Sequence, residues 1–225
     1  MNYNEYIAYH KQGDAGVEER MIASICRYYK LSEWDSFRLI YFYTMTYHIP
    51  SSLRMLIDGE RNIKNLQFRT DRRYVRCNGA FNRLLAELSH EKLLSLKRAQ
   101  STSEAYNVVS NWFYFGRYAS FLFLEVYCNT FKPNWEDNIK YGWESRENYT
   151  KGAVLLTGTS DKRVLDKFLE QAKRDTGDNA FAIETSLCAV EKIRKGTRWN
   201  GYYTERMLEE ANGTKYEALI YKLVR

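Results

Sequence analysis

Apolar residues recur along most of the chain at the three- and four-residue spacing that places them on one face of a helix. From Val17 to Tyr29 this spacing is regular, and the charged Glu18, Glu19 and Arg20 fall between the apolar positions. The pattern predicts amphipathic helices. Helices are predicted after Ser32 and over Ser51–Ile57, Ala80–Leu96, 102–130, 161–174, 180–195, 201–211 and 215–224.

Several predicted helices have capping residues at their ends. Ser32 with Asp35, and Ser101 with Glu104, have the three-residue spacing of an N-terminal cap. Gly196 follows a long periodic segment, at a position where glycine often takes a left-handed backbone conformation. These residues indicate where the helices begin and end.

Residues 131–160 interrupt the periodic pattern. This irregular centre contains Pro133 and three glycines, and Ala153–Thr157 is sufficiently apolar and β-branched to predict one short strand. No linker composition separates its two sides. The sequence therefore predicts an all-α fold, with at most one short β-hairpin in the centre, in a single compact helical domain over 1–225. Its predicted parts are an N-terminal half 1–130, the irregular centre 131–160 and a C-terminal helical part 161–225.

Composition narrows the classes of protein further. Only 2 of the 225 residues are Pro and 12 are Gly, which argues against a turn-rich β-sandwich. The 19 Tyr, 11 Phe and 5 Trp argue against intrinsic disorder. The net charge of +6 is compatible with a polyanionic partner.

Targeting signals and a local metal site are not expected. The four cysteines are far apart and form no CxxC pair, so no zinc site is predicted and each cysteine is expected to be a small buried side chain. The first residues lack the pattern of a signal peptide. The most apolar stretch, Tyr118–Tyr127, is short and contains Glu125, so we expect an intracellular protein that does not span a membrane.

Four arginines have helical spacing. If residues 69–76 are helical, their guanidinium groups share one face and repel one another, which is typical of a face that binds an anion. Phosphate oxygens would suit such a face, and the interleaved aromatic residues are compatible with DNA. The alternative is a solvated face paired with nearby acids. The arginines are Arg69, Arg72, Arg73 and Arg76.

A second constellation combines charge with a very apolar segment. Arg117 and Glu125 lie two helical turns apart, near one stripe that also includes Tyr114. Gly116 lies beside Arg117, where a glycine in a helix indicates the close approach of a backbone or ligand. Isolated buried charges are costly, so Arg117 and Glu125 are either functional or form a structural ion pair.

Two further segments carry polar candidates. Around Gly196, a helix end is followed by basic residues and a new helix start, whose amides would face an anion. Lys195, Arg198 and Arg206 would add charge there, although an ordinary helix C-terminus also favours cations. The second segment, Ser145–Gly152, lies in the irregular centre and offers Arg146 and Asn148.

Three blocks of the sequence, taken in order, resemble a known family. They are FYFGRYASFLFLE, SRENYTKGAVLLTG and ETSLCAVEKIRKGTRWNGYYTERMLEE. The chain resembles the bacteriophage amino acid:DNA transferases of thymidine hypermodification over about residues 105–211. Its central segment Ser145–Gly152 departs from the more Ser/His-rich version of the family.

The resemblance implies a reaction and its partners. Thymine positions in double-stranded phage DNA carry 5-hydroxymethyluracil, which a kinase pyrophosphorylates. The transferase replaces pyrophosphate with an amino acid, often glycine, joined through its amine to the 5-methylene carbon; related enzymes use a polyamine. The resemblance further implies action in the host cytoplasm during infection. No cofactor or metal ligand set is expected, although Mg²⁺ could arrive with the pyrophosphate.

The demands of this reaction assign hypothetical roles. The amine needs a base, and Glu125 or Glu184 is the candidate. Arg117 with Arg198 and Arg206 would hold pyrophosphate or the carboxylate of the amino acid. The four arginines of 69–76 would bind DNA phosphates, and the target base would be flipped against aromatic rings. The remaining residues of the expected substrate pocket are Tyr114, Arg146, Asn148, Lys195, Tyr202 and Tyr203.

Three other functions stay open at this point. A non-catalytic helical DNA-binding protein would need the basic face but not the Arg/Glu pair. A glycosylase-like enzyme acting on a modified base would ordinarily show a helix-hairpin-helix turn, which is not seen. A kinase of the same pathway would need a Walker motif, which is also missing.

Overall fold

The structure is a computed structural model that describes residues 1–13, 16–69, 72–77, 79–135, 147–196 and 202–224. Every regular element within these ranges is helical, which confirms the predicted all-α class. No helix in the same ranges is both long and apolar enough to cross a bilayer. The α-helices are α1 (Tyr3–Gln12), α2 (Val17–Tyr28), α3 (Glu33–Thr46), α4 (Ile49–Ile57), α5 (Arg73–Cys77), α6 (Ala80–Glu87), α7 (His90–Arg98), α8 (Thr102–Ser110), α9 (Arg117–Phe131), α10 (Asn148–Thr157), α11 (Lys162–Thr176), α12 (Ala180–Arg194), α13 (Tyr202–Ala211) and α14 (Glu217–Val224).

The chain divides into two compact units that alternate along the sequence. The first unit combines Met1–Val17 with Asp137–Glu205, and the second combines Glu18–Glu136 with Arg206–Arg225. The parts predicted from the sequence are continuous segments that meet at 130 and 160. The two units are discontinuous instead, because α1 belongs with α10–α12 and α14 belongs with α2–α9.

The first unit is built on close packing between α10 and α12. A β-carbon added to Gly152 would lie 2.1 Å from the carbonyl oxygen of Leu187, so only glycine allows the two backbones to approach this closely. Helices α1 and α11 complete the unit. A buried hydrogen bond of 2.8 Å between the hydroxyls of Tyr6 and Ser186 ties α1 to α12.

The short strand predicted at Ala153–Thr157 is wrong, because these residues form the second half of α10. Ala153 is fully buried in this helix-on-helix packing. Packing of α10 against α12 therefore outweighs the local preference of the apolar and β-branched residues for a strand. The helix ends at Gly158, which has a φ of 71°.

The second unit is centred on α3, which packs against α4, α7 and α9. Residues Leu39–Thr46 are all buried, so this helix is apolar on every side. Aromatic rings fill much of the space between α3 and α9, and they meet edge-on or tilted at centroid distances of 5.2–6.4 Å. The rings are those of Phe37, Tyr41, Trp112, Phe115 and Phe123.

The predicted caps of this unit are confirmed, but two predicted helices are divided. The Ser32 side chain accepts from the N–H of Asp35, and that of Ser101 from the N–H of Glu104. The segment Ala80–Leu96 forms α6 and α7, separated at Ser89, and 102–130 forms α8 and α9. Both divisions fall where the backbone becomes extended.

Candidate functional site

Charged side chains are buried in the second unit around Arg69. The Arg69 guanidinium donates from Nη1 and Nη2 to the carboxylate of Glu18. It also donates from Nε to Glu210 Oε1 at 2.9 Å and from Nη2 to Oε2 at 2.6 Å. One buried guanidinium therefore compensates two carboxylates through charge-assisted hydrogen bonds. We call the following group the Arg69 cluster: Glu18, Glu19, Tyr43, His48, Arg69, Arg206 and Glu210.

Four parts of the fold position this cluster. Glu18 lies in the first turn of α2. The backbone N–H of Arg69 donates to the carbonyl of Thr46 at 3.1 Å, which holds the segment before α5 against the end of α3. On α13, Arg206 Nε donates to Glu210 Oε1 at 3.1 Å, one helical turn away.

Glu19 is the carboxyl of the cluster best suited to exchange a proton near neutral pH. It is buried, and the Tyr43 hydroxyl lies 3.3 Å from Glu18 Oε2 and 3.4 Å from Glu19 Oε1. Burial and the neighbouring charge of Glu18 raise the pKa of Glu19 to about 7. Burial also raises the pKa of Glu18, although Arg69 opposes the shift.

His48 borders the cluster as the N-cap of α4. Its Nδ1 accepts from the backbone N–H of Ser51 at 3.2 Å, so in the neutral ring the proton is assigned to Nε2. Nε2 is buried without a hydrogen-bond partner and lies 3.8 Å from Glu210 Oε2. Burial lowers the pKa of His48 to about 4. The ring is therefore neutral at physiological pH.

The prediction of one exposed four-arginine face is wrong. Helix α5 begins at Arg73, so residues 69–76 are not one continuous helix. Arg69 and Arg72 are both buried, and the Arg69 guanidinium is the cationic partner that the buried Glu18 requires. Arg76 is exposed as expected. The side chain of Arg73 lies outside the described part of the chain.

Of the candidates around α9, Glu125 is the most deeply placed. It is 4% exposed, within a run of buried residues from Leu122 to Cys128. Arg117 is the first residue of α9, and its guanidinium carbon lies 4.9 Å from the ring centroid of Phe121. Eight residues of helix separate Arg117 from Glu125 by about 12 Å along the axis.

Two expectations for this segment are corrected. Gly116 does not lie inside a helix but is the N-cap of α9. Tyr114 is therefore not on a helical stripe with Arg117 and Glu125, and its backbone has a φ of 61°. The loop between α8 and α9 replaces the continuous helix that the apolar pattern predicted.

In the first unit, Glu184 is 8% exposed on α12, and Asn148 is the first residue of α10. Lys195 is exposed, and its Nζ lies 2.9 Å from Glu191 Oε1. Lys195 is also the C-cap of α12, which is the ordinary helix C-terminus considered as the structural alternative for this residue. Gly196 follows with a φ of 63°, as predicted.

Several predicted site residues lie outside the described part of the chain. They include Arg146 and Arg198, together with the side chains of Tyr202 and Tyr203. Among the described candidates, the structure brings Arg69 and Arg206 together, because both donate to Glu210. The candidate bases Glu125 and Glu184 belong to different units.

The first unit contains a histidine–carboxylate pair that was not predicted from the sequence. His10 Nε2 lies 2.6 Å from Asp178 Oδ2, and the buried Nδ1 has no hydrogen-bond partner. The two residues are 168 positions apart, so no local spacing could indicate the pair. Glu18 and Glu19 were missed for a related reason, because the apolar pattern around them is typical of a helix with a solvated charged face.

Comparison of the chain with models of known protein families, with curated proteins and with solved structures gave no match. Among the described residues, no group of three or more His, Cys, Asp or Glu side chains is arranged to hold a metal ion. The fold and the sites define the chain as an all-α protein of two units, with a buried arginine–carboxylate cluster in the second unit.

Proposed function

We propose that this protein is an amino acid:DNA transferase. It would attach an amino acid, glycine in the first instance, through the amine to the 5-methylene carbon of 5-pyrophosphoryloxymethyluracil in phage DNA, with release of pyrophosphate. The proposal is supported by the three sequence blocks at 113–125, 145–158 and 184–210, which resemble this family in residue type and order.

The structural observation that carries the proposal is the burial of Glu125 and Glu184 in largely apolar helices. The incoming amine is protonated at neutral pH and must lose a proton before it can act as a nucleophile. A carboxylate shielded from water is a stronger base than a solvated one, because burial disfavours its charged form. Each of these residues therefore has the environment that a general base requires.

The bond changes balance without a further reactant. The amine nitrogen forms a bond to the 5-methylene carbon, while the bond from that carbon to the pyrophosphate oxygen breaks. Pyrophosphate leaves with the bonding electrons, and the proton of the amine passes to the carboxylate. Arg117 at the N-terminus of α9 is suited to the leaving group, because a guanidinium and helix N-terminal amides both favour an anion.

The direct test uses the full-length chain and DNA that contains 5-pyrophosphoryloxymethyluracil. The DNA is incubated with single amino acids or putrescine, then digested to nucleosides and analysed by mass spectrometry, with pyrophosphate measured in parallel. We expect a new nucleoside whose mass reports the amine, and one pyrophosphate for each nucleoside formed. If no amine gives either product, the transferase proposal is wrong.

Two variants then test which carboxylate acts as the general base. Replacing the true base by glutamine should lower turnover by about 10²–10⁴-fold, the usual contribution of general-base catalysis. The variants are Glu125→Gln and Glu184→Gln. Matched controls are Glu91→Gln in the second unit and Glu170→Gln in the first, since both carboxylates are exposed. Full turnover in both test variants would refute the assignment of the base.

A further inference from the structure

The end of α2 and the last turns of α14 form a basic, aromatic surface on the second unit. Three tyrosines are unusually exposed there: Tyr28 at 46%, Tyr29 at 41% and Tyr221 at 39%. The Tyr28 and Tyr29 rings meet edge-on at 5.2 Å, so their faces point in different directions. Lys222 Nζ lies 5.0 Å from the Tyr28 ring centroid, which places α14 beside the end of α2.

Three cations accompany these rings. Arg27, Lys30 and Lys222 are all exposed. No carboxylate of the described residues lies within ion-pair distance of any of them, and the one hydrogen bond of the Arg27 guanidinium goes to Ser24. Elsewhere on the same unit, exposed cations such as Lys97 and Arg98 are paired with glutamates.

Helix stability explains only part of this arrangement. Arg27 and Lys30 lie at the C-terminal end of α2, where cations interact favourably with the helix dipole. That effect gives no reason for exposed tyrosine rings, or for Lys222 from another helix to meet them. Uncompensated cations beside exposed aromatic faces are the combination that binds single-stranded nucleic acid, in which phosphates and unstacked bases are both accessible.

A second contact fixes α14 in place. At its start, the Tyr216 hydroxyl donates to Asp58 Oδ2 at 3.0 Å, and Lys215 forms an ion pair with the same carboxylate. Asp58 is the C-cap of α4, so these contacts anchor the start of α14 to the end of α4. Leu219 and Ile220 on the other side of α14 are buried.

We propose that this surface binds a locally unpaired stretch of DNA. Arg27, Lys30 and Lys222 would contact phosphates, and Tyr28 and Tyr221 would stack on bases. The inference rests on the proposed function for the choice of DNA as the nucleic acid, since an enzyme that modifies a base must open the duplex around it. This surface would also contact DNA phosphates, which the buried Arg69 and Arg72 cannot do.

The test measures binding of unmodified DNA by fluorescence anisotropy, with a short labelled oligothymidylate and a duplex of the same length. The charge variant is Arg27→Gln/Lys30→Gln/Lys222→Gln. Its control removes three other exposed cations of the same unit, as Lys64→Gln/Lys97→Gln/Arg98→Gln. The charge variant should bind the single strand more weakly, with the slope of log K against log salt reduced by roughly 2, since each lost phosphate contact contributes about 0.7. The control should retain the wild-type slope.

Tyrosine variants test the stacking contacts. Tyr28→Ala/Tyr221→Ala should weaken single-strand binding by about 30-fold or more, because each of the two stacked bases contributes roughly 1–3 kcal/mol. Duplex binding should change less. Tyr74→Ala is the control, because Tyr74 is an exposed tyrosine on a different helix, α5. Circular dichroism melting establishes that every variant is folded.

The outcomes separate this surface from the proposed function. If both test variants bind single-stranded DNA with wild-type affinity, the proposal that this surface binds DNA is wrong, even if the transferase assay gives product. A concentration-dependent dimer that only the test variants lose would also overturn it, in favour of a second copy of the chain. Weaker DNA binding in the test variants without any transferase product would support the surface and count against the enzyme.

Discussion

Arg69 and Glu210 are joined by two hydrogen bonds, although 141 residues separate them in the sequence. The same guanidinium holds Glu18, so three elements of the second unit depend on one side chain. Because Glu18 is buried, removal of Arg69 leaves the Glu18 carboxylate without its cationic partner.

Replacing Arg69 by methionine should therefore destabilise the protein strongly. The expected loss is about 3–5 kcal/mol, the usual cost of leaving a buried carboxylate without its partner. Chemical denaturation at neutral pH measures it. Arg76→Met is the control, since Arg76 is exposed and should change stability little. Adding Glu18→Gln to Arg69→Met should restore part of the loss, and no recovery would contradict this account of the cluster.

Glu19 should make the protein less stable as the pH rises. Its folded pKa of about 7 lies above the ordinary glutamate value of 4.5. The stabilisation from protonated Glu19 is therefore fully present below about pH 4.5 and is lost as the pH rises through about 7. Glu19→Gln should not lose stability in this way. The difference in the free energy of unfolding between this variant and wild type should therefore grow, in favour of the variant, by about 3 kcal/mol as the pH rises through this range.

Denaturation curves of wild type and Glu19→Gln at several pH values provide the measurement. Glu209→Gln is the matched control, because Glu209 is exposed on α13. A difference between wild type and Glu19→Gln that does not vary with pH would show that Glu19 titrates as an ordinary surface carboxyl.

His48 should act in the opposite direction. Its folded pKa of about 4 lies below the ordinary histidine value of 6.5. The stability that depends on the neutral ring is therefore present above about pH 6.5 and is lost as the pH falls through about 4, by about 3 kcal/mol in total. His48→Asn keeps an N-cap side chain for α4 and should remove this dependence.

The same denaturation series distinguishes His48 from the other histidines. His90→Asn serves as the control, because His90 is exposed at the start of α7. We expect the His90 variant to follow the acid-dependent curve of the wild type. If His48→Asn also follows it, the acid sensitivity originates elsewhere.

Gly152→Ala should disrupt the first unit. The added methyl would lie 2.1 Å from the carbonyl oxygen of Leu187, so α10 and α12 would have to separate. Overpacking of this kind costs about 1–3 kcal/mol, and backbone on both sides makes the upper end the expected value. Gly116→Ala is the control, since no atom beyond its chain neighbours lies within 4 Å of the added methyl. Melting temperatures of the two variants measure the difference.

Helices and their caps could be predicted because their signals are local. Ser32 and Asp35 lie three residues apart and form the cap that their spacing indicates. The prediction of one continuous helix through Gly116 was wrong, because an apolar run continues through the loop between α8 and α9. Buried aromatic side chains such as Phe115 make that loop as apolar as the helices beside it.

The polar centre could not be predicted because its members are distant in sequence. Glu18 lies in a pattern typical of a solvated charged face, and nothing near it indicates that Arg69 will cover it, 51 residues later. The four arginines at 69–76 have the spacing of one face, yet the burial of Arg69 depends on this distant carboxylate. Local spacing indicates which charged residues share a helix face. Whether each of them is a buried structural partner or a surface contact depends on residues that are distant in the sequence.

The alternation of the two units along the chain has a consequence for synthesis on the ribosome. The first unit contains α1, yet α1 has to wait for α11 and α12 before it can dock; its Tyr3 donates to Asp175, which is made 172 residues later. The second unit likewise lacks Glu210 until α13 has been made, 141 residues after Arg69. Because non-local contacts form slowly, we expect each unit to close only after its distant segment has been made, α11 and α12 for the first unit and α13 for the second.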